Sequence, residues 1–160
     1  MTPDRIEKSV LLPVPAQRVW SAISDASQFG HWFGVAFDGP FAAGSKATGK
    51  IAPTAVDAEV AKLQAPHVGK RFEIWVERVE PLSLFSFRWH PFAIDPGVDY
   101  STEPMTLIQF ELKTAAAGTQ LVISETGFDL IPESRRAEAY AAEDGGWGMQ
   151  AILIGKYLTP

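Results

Sequence analysis

Leu82-Ser83-Leu84-Phe85-Ser86-Phe87-Arg88-Trp89-His90 is the stretch on which the fold of this 160-residue chain turns. A period of two puts Phe85, Phe87 and Trp89 on one face and Leu84, Ser86, Arg88 and His90 on the other. Three large rings on one face of a strand call for a bulky partner such as a helix. Pro81 and Pro91 bound the stretch, because proline donates nothing to a ladder. Arg71–Glu80 reads as the strand before it. Met105–Lys113 and Thr119–Glu125 read as a hairpin joined by the Gly-containing loop Thr114–Gly118. Further out, residues 5–12 predict a strand stopped by Pro13 and Pro15, and Val35–Phe37 and residues 45–51 predict short ones. Residues 52–69 are ambiguous, with a helix-permissive run at Ala55–Leu63.

Helices fall at the two ends. Pro15 has the fixed φ of a helix start, and the helix it opens runs to about Ser24 with Val19, Trp20 and Ile23 on its buried side. Asp25 with Gln28 three residues on has capping-box spacing. The short helix that follows carries Phe29, Trp32 and Phe33 at i, i+3 and i+4 and ends at Gly34. Pro132 opens the last helix, which runs to Leu158 with Trp147, Ala151, Ile154 and Leu158 in one stripe. Gly145, Gly146 and Gly148 interrupt it, each costing about 0.5–1 kcal/mol against Ala. They predict either a break in the helix or the close approach of something bulky. Strands in a run with helices at the ends predict an α+β fold. A curved antiparallel sheet would wrap the long C-terminal helix, with two short helices after the first strand and a cavity between sheet and helix.

Composition narrows the function. The chain is 46% hydrophobic and 21% charged, as expected of one globular domain spanning residues 1–160. It has no cysteine, which removes disulfides, thiolate nucleophiles and Cys-ligated metals. A net charge of −5 argues against nucleic acid. No apolar run spans a bilayer, and the N-terminus lacks a signal pattern, so a cytoplasmic location is expected. His31, His67 and His90 lack ligand spacing, so no metal is expected, and no motif implies a cofactor.

Four stretches together carry a resemblance. They are Leu12-Pro13-Val14-Pro15-Ala16-Gln17-Arg18-Val19-Trp20; His31-Trp32-Phe33; Val79-Glu80-Pro81 with Leu84-Phe85-Ser86-Phe87-Arg88-Trp89; and Gly118-Thr119-Gln120-Leu121 with Ser124-Glu125-Thr126-Gly127-Phe128 and Gly146-Trp147. In order and spacing the chain resembles the SRPBCC superfamily of helix-grip domains. It is most similar there to bacterial domains like the C-terminal domain of the activator of the heat-shock-protein ATPase. The resemblance covers nearly the whole chain and implies a hydrophobic-ligand-binding fold, with no shared catalytic set to carry over.

The expected ligand is a hydrophobic or aromatic small molecule touching Trp32, Phe33, Trp75, Phe87, Trp89, Phe110, Trp147 and Ala151. Arg88, His90 and Tyr100 would orient it at the mouth, beside the loop Pro91–Pro104. Which face of the 71–80 strand lines the cavity is open. A second reading is a polyketide cyclase or dehydratase-like enzyme with His90, Glu73 or Glu77 as acid–base. Strand carboxylates are nonetheless expected on an exposed face, Glu111 and Glu125 among them. A third reading is a chaperone-interacting module. Self-association into a homodimer is left open.

Overall fold

The structure is a computed structural model that describes residues 2–95 and 97–160. Among these, seven strands form one antiparallel sheet: β1 (Arg5–Leu12), β2 (Val35–Phe37), β3 (Lys46–Ile51), β4 (Arg71–Glu80), β5 (Leu84–Trp89), β6 (Thr106–Ala115) and β7 (Gly118–Thr126). Their order is β1-β7-β6-β5-β4-β3-β2, so the first strand of the chain pairs with the last and the rest follow as a meander. The helices are α1 (Ala16–Ser24), α2 (Ala26–Phe33), α3 (Ala58–Gln64) and α4 (Glu133–Leu158). The sheet curves around α4, which is the α+β helix-grip architecture. No helix among the described residues is long and apolar enough to cross a membrane.

Alternation decides what faces in. On β5, Phe85, Phe87 and Trp89 are buried, and their cross-strand neighbours on β6 include Ile108 and Phe110. On β4, Ile74 and Val76 are buried with Phe72 packed beside them, so Glu73, Trp75 and Glu77 belong to the outer face. The register slips between Val76 and Arg78, which leaves Glu77 without a residue opposite.

Local chemistry explains the helix ends. The Asp25 carboxylate accepts from the Ser27 N–H at 3.0 Å and caps α2. Gln28 donates its amide to the same carboxylate at 3.2 Å, so the reciprocal bond of a full capping box is not made. Gly34 closes α2 in the left-handed region with φ 106°. Gly30 is demanded by packing, since a Cβ there would lie 2.0 Å from the Val35 carbonyl oxygen.

The glycines of α4 do not break the helix, against the first of the two expectations. The helix is unbroken from Glu133 to Leu158. Among the described residues, a Cβ at Gly145, Gly146 or Gly148 would meet nothing within 4 Å, so no other part of the chain packs against them. The helix survives them because its neighbouring turns are anchored by the buried Ala139, Trp147, Leu153 and Ile154.

Candidate functional site

Two carboxyls meet in the aromatic interior. Glu125 is on the same face of β7 as Leu121 and Ile123 and is completely buried. The expectation of an exposed face fails for it. Its carboxyl accepts from Trp89 Nε1 at 2.9 Å, Thr106 Oγ1 at 2.5 Å and Trp147 Nε1 at 2.7 Å. The second carboxyl is Glu143, one turn before Trp147 on α4 and a hydrogen-bonding neighbour of Glu125. Glu143 is half-buried as a residue, and its carboxyl is the enclosed end. It accepts the Phe92 N–H at 2.9 Å.

Electrostatics make this a proton-holding pair. Burial raises the pKa of Glu125, and the Thr106, Trp89 and Trp147 donors pull it partly back. Glu143 is pushed well above the usual carboxyl range, first by burial and then by the charge of Glu125. Glu125 has three side-chain donors and so is the better home for the negative charge, while Glu143 keeps the proton.

The loop between β5 and β6 is tied to α4 near both of its ends. Arg135 donates to Glu103 at 2.9 and 2.6 Å and to the Pro91 carbonyl at 2.9 Å. The guanidinium also lies 4.9 Å from the Tyr100 ring centroid. Phe92 sits at φ 51°, a left-handed conformation costly for a residue with a Cβ, and that turn aims its N–H at Glu143.

The comparisons with known proteins agree with this architecture. The profile of the family described as "Activator of Hsp90 ATPase homolog 1-like protein" matches residues 13–159. The chain belongs to this family. Among curated proteins nothing matches. Among solved structures, CV1439 from Chromobacterium violaceum has a TM-score of 0.70 at 16% identity, with 99% of each chain covered. DynU16, a putative protein in the dynemicin biosynthetic locus, has a TM-score of 0.69 at 22% identity. The match takes in 98% of this chain and 48% of DynU16, so the chain spans about half of that protein's length. The protein encoded by gene BPP1335 of Bordetella parapertussis has a TM-score of 0.64 at 25% identity, over 98% of this chain and 75% of its own.

In this member of the activator-homolog-like family, the residues singled out from sequence divide into two groups. Trp32, Phe33, Phe87, Trp89, Phe110 and Trp147 all come together in the interior. Trp89 and Trp147 stack at 5.5 Å between ring centroids, with Phe33 6.1 Å and Phe110 5.7 Å from Trp147. Trp32 also donates to the Ala22 carbonyl at 2.9 Å and ties α2 to α1. Ala151 is half-buried on α4.

The outer-face group lies elsewhere. Trp75 points away from the interior, beside Lys46 and the edge of the His90 ring. Arg88 donates to Glu77 at 2.7 Å, and Glu73 is held by Lys46 and Arg71. His90 is half-buried, its enclosed Nδ1 has no partner among the described residues, and burial lowers its pKa. The Tyr100 hydroxyl accepts the Asp95 N–H at 3.2 Å.

Two open grooves lie on the α2 side, about 740 Å³ beside Asp25, Phe37 and Phe41 and about 540 Å³ beside Lys156 and Tyr157. Neither is lined by any residue of the expected ligand set. The interior is favoured as the site for its chemistry: its carboxyl pair is the feature that packing alone does not require.

Sequence reading missed Glu143 and misplaced Glu125. A signal for both was present. Glu125 has the parity of Leu121 and Ile123, and Glu143 stands four residues before Trp147 on its stripe.

Proposed function

We propose that the chain binds a flat, hydrophobic small molecule between β5–β7 and α4, and that the Glu143 carboxyl donates its proton to a carbonyl or similar acceptor on it. The observation that carries this reading is the carboxyl pair. A buried acid held neutral beside Glu125, whose carboxyl Trp89 and Trp147 hold, is costly to a fold and useful to a binding site. The aromatic surroundings suit a ring system, and the loop tied down by Arg135 covers the same end.

The test is a fluorescence titration with 2-acetonaphthone, an aromatic ketone, read on the tryptophans. Saturable quenching is expected, together with about tenfold weaker binding in Glu143→Met, which cannot donate. No saturable change, or equal binding by the variant, refutes the reading. The same pair favours a second reading, that of a cyclase-like enzyme. Glu143 would protonate a ketone oxygen while Glu125 takes an α-proton, giving the enol. It predicts faster deuterium uptake at the methyl group of 2-acetonaphthone in heavy water with the protein than with Glu125→Gln, and equal rates would remove it.

A further inference from the structure

The larger of the two grooves has a charge that nothing around it answers. It is a cleft of about 740 Å³ between α2 and the edge strand β2. Among the described residues its lining holds two carboxylates, Asp25 and Asp38, and no lysine or arginine. Neither carboxylate has an ion-pair partner among those residues. Asp25 accepts only from neutral groups, the Ser27 N–H and the Gln28 amide. Asp38 accepts the Thr48 hydroxyl through Oδ2 at 3.1 Å, and no described donor reaches its Oδ1.

Aromatic rings and a carbonyl stand beside these charges. Phe37 and Phe41 are half-buried and meet edge to face at 4.9 Å between ring centroids. Phe41 in turn stacks at 5.1 Å on the buried Phe85, which fixes this wall to the core. The Asp38 N–H donates to the Thr48 carbonyl and the Ala52 N–H to the Gly34 carbonyl, so Gly34, Ala36 and Asp38 turn their backbone groups toward β3. By alternation the Phe37 carbonyl turns the other way, and β2 is the last strand of the sheet.

Carboxylates, a free carbonyl and ring faces attract one chemistry in common, an ammonium group. We propose that this cleft binds a small organic amine. Its ammonium meets Asp38 and the Phe37 carbonyl in the field of Asp25, and its apolar stem lies on Phe37 and Phe41. Water reaches the open cleft, so one ion pair there would be weak, and the site needs its acceptors and rings together. The cleft's shape selects a small molecule over a peptide strand. A Cβ on Gly30 would lie 2.0 Å from the Val35 carbonyl oxygen, so α2 and β2 touch there and no strand can run along β2. The site shares no residue with the interior carboxyl pair, so it does not depend on the binding reading above.

A nitrogen–proton NMR titration with 2-phenylethylamine tests it, with 2-phenylethanol as the uncharged control of like shape. Saturable amide shifts are expected at Ser27, Phe37 and Asp38, with the alcohol bound at least about tenfold more weakly. Asp38→Asn can still accept the Thr48 hydroxyl, and Asp25→Asn can still cap α2, since asparagine caps helices as well as aspartate does. The double variant should therefore fold, bind the amine at least about tenfold more weakly and leave the alcohol unchanged. Added salt should weaken the amine in the wild type alone.

Equal affinity for amine and alcohol, undiminished amine binding by the double variant, or no saturable shift overturns the inference. Amine shifts confined to the indole N–H groups of Trp89 and Trp147 overturn it as well, because they place the amine in the interior. None of these outcomes bears on the binding reading, which 2-acetonaphthone tests separately.

Discussion

Replacing Glu143 by Gln tests the proton-holding pair without moving it. The side chain keeps its shape. Its Oε1 still accepts the Phe92 N–H that Glu143 accepts at 2.9 Å, and its Nε2 donates to Glu125 as the acid proton did. What changes is the linkage between stability and pH. Both carboxyls have folded pKa values above the ordinary one, because burial disfavours the charge. The folded chain then holds a proton that the unfolded chain has released. The contribution of the pair to stability is therefore full below the unfolded carboxyl value of about 4.3 and is lost as pH rises through the window up to the folded pKa. Each such proton gives a slope of about 1.4 kcal/mol per pH unit inside that window.

Glu143→Gln needs no proton, so its stability should lack that slope, and the variant should gain on the wild type as pH rises above the unfolded carboxyl value. Urea unfolding followed by far-ultraviolet circular dichroism at pH 4, 5, 6, 7 and 8 measures the difference. Comparing the two chains cancels the carboxylates that titrate normally in both. Parallel stability curves across this range would refute the shared proton and remove the main support for the binding reading.

Other substitutions read the fold. Gly145→Ala with Gly148→Ala should stabilise the chain by about 1–2 kcal/mol, since each added methyl meets open space and α4 gains helix propensity; thermal melting checks it. Gly30→Ala should destabilise on the order of 1–3 kcal/mol, because its methyl strikes the Val35 carbonyl, and a lower urea midpoint is the readout. Trp75→Ala should leave the affinity for 2-acetonaphthone unchanged, as the ring lies on the outer face with Lys46. Arg135→Met should release the loop and speed amide exchange at Phe92, measured by NMR, since the Glu103 and Pro91 contacts go together.

Much of this architecture was legible before any coordinates. The alternation of Phe85, Phe87 and Trp89 implies a sheet with one aromatic face, and the Trp147–Leu158 stripe implies the helix that covers it. Periodicity works there because each element repeats its own geometry, and burial follows the repeat. It was ambiguous on Arg71–Glu80, where Trp75 and Phe72 sit on opposite faces and either is bulky enough to be the inner one. Cross-strand neighbours decide that question, and they come from far along the chain.

The site followed the same division. Six of the eight residues expected to touch a ligand are gathered in the interior, since large apolar side chains go there whatever the function. The carboxyl pair escaped notice for the converse reason. Average burial puts a glutamate outside, and only the meeting of Trp89, Thr106 and Trp147 around one point supplies the donors that let Glu125 stay in.

Read alone, the sequence determined the class of fold, the order of its elements and the aromatic filling, because these depend on repeats within short stretches and on proline and glycine at their ends. Tertiary structure decided the rest: the outward face of Trp75, the unbroken α4, and the contact of Glu125 with Glu143. These depend on the distance between residues remote in the chain, and local patterning carries no measure of that distance.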